Sequence, residues 1–156
     1  PYTLSMEKEG LLAGCQDIFS SSERAFYILN DVDTRFEDVK DAKGNVMPLT
    51  SGSYVDYLES ADETLRKSAF ENMYAAYGKV QNTMASLLNS QCKMLKYESD
   101  LRGYPTSLEA STNKNGVPSC VYKNLIKQVH KDIAPLHIYM KGRKKALKKD
   151  KLNIYE

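Results

Sequence analysis

Between Ser60 and Leu101 the chain carries its longest helical pattern, and this stretch constrains everything around it. Phe70, Met73, Tyr77, Val80, Met84 and Leu87 follow one another at steps of three and four, which places them on one stripe of a 3.6-residue helix. Leu65, Ala69 and Ala76 form a parallel row that widens the stripe. Ser60 and Glu63 have the spacing of a capping box, while Gly103 and Pro105 supply the stop near Leu101. A helix this long cannot cover its own apolar side. The expected cover is the pair of helical patterns from Pro118 to Leu147.

Those patterns are themselves well marked. Val121, Leu125, Val129 and Ile133 recur every fourth residue, with Pro118 suited to a first helical turn. Pro135 removes one helical hydrogen bond, so a kink or short break is expected before Leu136 to Leu147. Near the N-terminus, Ser5 reads as the cap of a short helix that stops near Gly14, and Ser20 with Glu23 as the start of a second helix containing Phe26, Ile28 and Leu29. Between residues 34 and 49 the period changes. Phe36, Val39, Val46 and Met47 flank the turn-rich Asp41-Ala42-Lys43-Gly44-Asn45, which predicts a β-hairpin whose second strand Pro48 confines to an edge. Ser53 to Leu58 reads as a further short helix. The expected fold is all-α, mostly long antiparallel helices, with one small hairpin near residues 34–49. No solenoid repeat fits the spacing.

Composition narrows the function classes. The 156 residues suffice for one domain with a real core, and a net charge of +2 creates no field suited to nucleic acid or an anionic membrane. No apolar run approaches a membrane span, and the start lacks the basic-then-apolar order of a signal peptide, so a cytoplasmic location is expected. Cys15, Cys92 and Cys120 are odd in number and far apart, which argues against a disulfide framework or zinc knuckle and for reduced, mostly buried thiols.

Candidate chemistry is sparse. His130 and His137 are seven residues apart with Asp132 as the nearby carboxylate, whereas helical metal ligands favour i and i+4, and no HExxH occurs. The two are read as polar or partly buried helix histidines. No local signature such as GxSxG marks a nucleophile. The basic run from Lys141 to Lys151 could meet phosphate or an acidic membrane, but a solvated helix face accounts for it. Of the eleven tyrosines, Tyr74, Tyr77, Tyr97, Tyr122 and Tyr139 are assigned mostly to the core. Tyr104, beside the loop, is kept as the candidate for substrate binding.

Several stretches, taken in order, carry a resemblance. "TLSMEKEGLLAG", "ILNDVDTRFEDVKDAKGNVMPLTSGSYVDYLES", "RKSAFENMYAAYGKVQNT", "SLEAS" and "VPSCVYKNLIKQVHKDIAPLHIYMKGRKKAL" resemble the N-terminal half of oligoendopeptidase F, within the thimet-oligopeptidase-like zinc metallopeptidases. The resemblance implies a helical, bowl-like peptidase that hydrolyses internal bonds of short peptides, with N-terminal helices walling an enclosed channel. It implies a zinc ion held by two histidines of an HExxH helix and a downstream glutamate, the HExxH glutamate activating the zinc-bound water. None of those residues can be carried onto this chain, so no catalytic or metal residue is expected here. The stretch from Arg102 to Ile126, with its glycine, prolines and "SLEAS", is then expected to be a structured crossover between wall helices.

The start at Pro1-Tyr2-Thr3 and the stop at Ile154-Tyr155-Glu156 fit the same expectation. Residues 1–156 are read as an N-terminal helical wall segment of a larger metallopeptidase, lacking the catalytic HExxH portion. Its expected partners are short peptides, through the parent enzyme, and the missing catalytic part. Nucleic acid and membrane are not expected, and the segment alone is expected to be inactive and to self-associate. The alternative is a stand-alone helical interaction module without enzymatic activity.

Overall fold

The computed structural model describes residues 2–156. The described residues form eight α-helices, one π-helical turn and one two-stranded sheet, in the order α1 (Met6–Gly14), α2 (Gln16–Phe19), α3 (Ser21–Tyr27), the π-helical turn (Ile28–Asp33), β1 (Val39–Lys40), β2 (Val46–Met47), α4 (Ser53–Leu58), α5 (Glu63–Leu101), α6 (Ser107–Asn113), α7 (Ser119–Lys131) and α8 (Ala134–Ala146). The expected helical class with one hairpin is what forms. The chain divides into two compact units. One comprises residues 2–22 and Leu88–Asp150, the other Glu23–Leu87 and Lys151–Glu156.

The second unit is built on the first part of α5. Val39 and Leu49 from the hairpin region join Leu65, Ala69 and Met73 of α5 in a buried cluster, with Phe36, Met47, Tyr54, Tyr57 and Tyr77 packed around it. β1 and β2 pair antiparallel, Val39 opposite Met47 and Lys40 opposite Val46. The Asp41 carboxylate closes the turn by accepting from the Lys43 and Asn45 amides at 2.9 and 2.8 Å. Gly44 takes the positive φ of +84° that the turn demands. The strand ends before Pro48, whose carbonyl accepts the Tyr57 hydroxyl at 3.0 Å and so ties α4 to the hairpin. Two side chains of α5 reach β1 and the residue before it: Ser68 accepts from the Lys40 amide at 3.1 Å, and Asn72 donates to the Asp38 carbonyl at 2.8 Å. The chain's last residues return to the same helix, where Arg66 donates to the Tyr155 carbonyl at 2.7 Å and Phe70 packs on the Tyr155 ring.

This arrangement corrects the expected cover of α5. Of the stripe Phe70, Met73, Tyr77, Val80, Met84 and Leu87, only Met73 is buried and the others are half-buried, while Leu65, Ala69 and Ala76 of the parallel row are all buried. Small Ala69 lets the hairpin sit close to the helix. The cover comes from the hairpin and α4, and the helices between Pro118 and Leu147 bury no residue at all.

The start of α5 is also different. Asp62, not Ser60, holds the first amides, accepting from Thr64 and Leu65 at 2.8 and 3.3 Å and from the hairpin's Ala42 at 2.7 Å. Ser60 is occupied in accepting the Asp62 amide at 3.1 Å. Ser20 likewise makes no capping box. It lies in helical conformation and its hydroxyl donates back to the Gln16 carbonyl at 3.0 Å, so α2 leads directly into α3 and the π-helical turn. Thr34 ends that turn by donating to the Leu29 carbonyl at 2.7 Å.

In the first unit, Ser5 caps α1 as expected. Gly103, at φ +75°, and the residues after it end α5. Thr106 then accepts from the Glu109 amide at 3.2 Å and starts α6, so the "SLEAS" stretch is a capped helix. Gly116, at φ +65°, reverses the chain, and Pro118 stands as the cap one residue ahead of α7. Pro135 lies in the first turn of α8, after a break at Asp132 and Ile133. All three cysteines are free, but Cys92 and Cys120 are exposed and Cys15 half-buried, so the expectation of mostly buried thiols fails.

Two measurements check this account. Met73→Ala should destabilise the chain by about 2–5 kcal/mol, as core truncations do, and Met84→Ala by clearly less, both read from denaturant unfolding. The amides donated to Asp62, that of Ala42 first, hold its carboxyl below its ordinary range. Its contribution is therefore complete above the unfolded-chain value and lost as pH falls through the lower folded value. Asp62→Asn should flatten that acid-side loss of stability in melts recorded from neutral pH downward.

Candidate functional site

Helix α5 ends in a turn that presents Leu95, Glu98, Ser99 and Arg102 toward α6 and the N-terminal extended residues. Together with Tyr104 and Ala110 they line a cavity of about 410 Å3. Arg102 organises it. Its guanidinium grips Glu9 of α1 with two bonds, Nη1 to Oε1 at 2.7 Å and Nη2 to Oε2 at 3.0 Å, and its Nε lies 3.5 Å from Glu98. Such fork-to-fork pairing fixes orientation as well as charge. Arg102, with help from the Leu4 amide, holds the Glu9 carboxyl below its usual range, and Glu9 in turn raises the arginine's affinity for its proton. Lys114 completes the row at 3.4 Å from Glu98.

Tyr104, the candidate from sequence, stands on this cavity. Its ring stacks on Tyr2 with centroids 3.7 Å apart, and its hydroxyl accepts from Asn113 Nδ2 at 2.8 Å. Both contacts leave the ring edge-fixed at the cavity wall. Ser99 is the residue the sequence did not flag. It is 1% exposed, and its hydroxyl has no hydrogen-bond partner. Nothing in a helical serine's sequence context signals this. The Arg102–Glu98 pair could have been read from its i, i+4 spacing, but the Arg102–Glu9 pair joins residues 93 apart.

The histidines are not brought together into a site. His130 lies on α7 and His137 on α8, both exposed, and the carboxylate of Asp132 is engaged by Gln128. Among the described residues no group of three or more His, Cys, Asp or Glu could hold a metal ion. The described side chains converge on no such centre. The tyrosines also depart from expectation: Tyr77 is packed at the core with its hydroxyl donating to Asn30 at 3.2 Å, but Tyr74, Tyr97, Tyr122 and Tyr139 are exposed. Tyr97 still meets the ring of Phe19 from α2 edge-on, with centroids 6.3 Å apart. The basic run from Lys141 to Lys151 is solvated apart from half-buried Lys149, which lies beyond the end of α8. Among the described residues no helix is long and apolar enough to cross a membrane.

Comparison with known proteins gives consistent matches. The chain is 36% identical over its whole length to the oligopeptidase PepF of Bacillus subtilis, and 37% identical to the group B oligopeptidase PepB of Streptococcus agalactiae. It spans 23% and 26% of those relatives, about a quarter of their length. The crystal structure of oligoendopeptidase-F from Enterococcus faecium superposes with a TM-score of 0.94 at 37% identity, covering 99% of this chain and 30% of that one. The sequence profile of peptidase family M3 matches residues 56–156, from α4 through the C-terminal residues that return to α5. With most of the chain inside that profile and both units matched by an oligoendopeptidase, the chain belongs to peptidase family M3.

Proposed function

We propose that residues 1–156 form a non-catalytic helical wall segment of a zinc-dependent oligoendopeptidase that hydrolyses internal bonds of short peptides. The segment helps to enclose the peptide and docks on the catalytic part of the longer polypeptide. One observation carries the reading. Val121, Leu125 and Val129 make a stripe along α7 and are 53%, 62% and 54% exposed, and Leu136, Tyr139 and Met140 of α8 are exposed as well. An apolar surface of this extent is rarely left to water. The relatives supply the occupant, because about three quarters of their length lies outside the stretch this chain matches.

The chemistry belongs to that remaining part. Hydrolysis in this class needs a metal with an open coordination position and a carboxylate beside it. His130 and His137 supply neither a third ligand nor a placed base, so the zinc of the parent enzyme is held by residues outside this segment. What this segment contributes is exclusion of folded proteins and positioning of peptide, with Tyr104 as the residue nearest to that task. The reading places the enzyme in the cytoplasm, where three cysteines without a disulfide among them stay reduced.

The test compares the 156-residue chain with a polypeptide extended to the length of the relatives. The short chain should hold no stoichiometric zinc after dialysis, cleave no quenched fluorescent peptide, and self-associate with rising concentration. The extended polypeptide should hold one zinc and cleave the peptide. Zinc-dependent turnover by the short chain, abolished by His130→Ala or His137→Ala, would overturn the assignment.

A further inference from the structure

We infer that the cavity over Ser99 is a binding site for an uncharged stretch of peptide main chain, one or two extended residues long. Three features of the cavity select that chemistry. The first is Ser99 itself. A hydroxyl can donate one hydrogen bond and accept two, yet this one is buried and makes none. Native interiors leave few such groups unpaired, because the lost hydration is not recovered. An occupant that brings a donor or an acceptor to it recovers part of that loss, and each residue of a peptide main chain carries one of each.

The second feature is charge. The charged side chains of the wall, Glu98, Arg102 and Lys114, are paired in a row that Glu9 of α1 joins: Glu9 to Arg102 at 2.7 Å, Arg102 to Glu98 at 3.5 Å and Glu98 to Lys114 at 3.4 Å. A carboxylate entering the cavity competes with Glu98 for Lys114 and Arg102, and an ammonium competes with those two for Glu98. A neutral ligand leaves them intact. The third is shape and surface. A volume of about 410 Å3 lies in the range of small-ligand sites, roughly 300–1,000 Å3, and Leu95, Ala110 and the ring of Tyr104 give the Cα groups of a peptide apolar walls.

The same main-chain chemistry has two sources, a free peptide or another stretch of the longer polypeptide. The choice of a peptide as the amide ligand rests on the peptidase reading. Binding is read without turnover, so failure of one leaves the other measurable.

The experiment titrates N-acetyl-alanyl-alanine amide into the isotope-labelled 156-residue chain and follows amide resonances. Saturable shifts are expected at Ser99, Tyr104, Ala110 and Asn113, with none of comparable size from sodium acetate. Ser99→Ala should weaken binding about tenfold, the loss of one hydrogen bond. Without peptide it should melt at or above the parent, since it deletes an unpaired buried group. Ala110→Leu should fill the cavity and abolish the shifts, which tests the site independently of the serine. Binding by both the short chain and the extended polypeptide assigns the site to free peptide. Binding by the short chain alone assigns it to an internal segment. Absence of saturable shifts, an equal response to acetate, affinity unchanged in both variants, or a clear drop in melting temperature on Ser99→Ala overturns the proposal.

Discussion

A 39-residue amphipathic helix has to be covered, and the structure is organised around how that is done for α5. Helices are marginal in water without tertiary packing of their apolar side. In one unit the cover is a two-residue-per-strand hairpin and a short helix, far too small to be stable alone, which α5 stabilises in return through Ala69, Met73, Ser68 and Asn72. In the other unit the end of the same helix is held by polar contacts. Arg102 reaches α1, and Glu98 reaches Lys114 after α6. The two ends thus rely on different physics, apolar burial at one and a charged row at the other.

The elements legible from sequence were those set by local chemistry. Ser5 before α1, the Asp41–Asn45 turn, Gly103 after α5 and Pro135 in α8 each act through their own backbone or a neighbour a few residues away. What was not legible depended on partners distant in sequence. The row of α5 that is most deeply buried contains two alanines, whose small side chains give a weak hydrophobic signal, and the adjacent row of larger residues is equally periodic. Asp62 and Ser60 both have cap chemistry, and the hairpin's Ala42 amide gives Asp62 a further partner across 20 residues. The candidate site shows the same limit. Tyr104 could be found because it stands beside a loop, whereas Ser99 and the Glu9 clamp exist only in the folded chain.

The exposed faces of α7 and α8 and the lack of a metal-fitting cluster among the described residues follow from the same cause in our account. On the proposed reading, both belong to a segment that completes a larger peptidase without carrying its chemistry. The basic residues of α8 keep one side of that helix solvated, and the apolar stripe of α7 is left for the contact. A stand-alone interaction module would use the same stripe but would need an external partner.

Hydrogen exchange of the α7 amides distinguishes these most directly. Rates around Val121, Leu125 and Val129 would be measured in the 156-residue chain, dilute enough to remain unassociated, and in a polypeptide extended to the length of the relatives. The account predicts fast exchange in the short chain and strong protection of the same amides in the extended one. Equal, fast exchange in both would mean that nothing in the longer polypeptide covers this face, and would contradict the account.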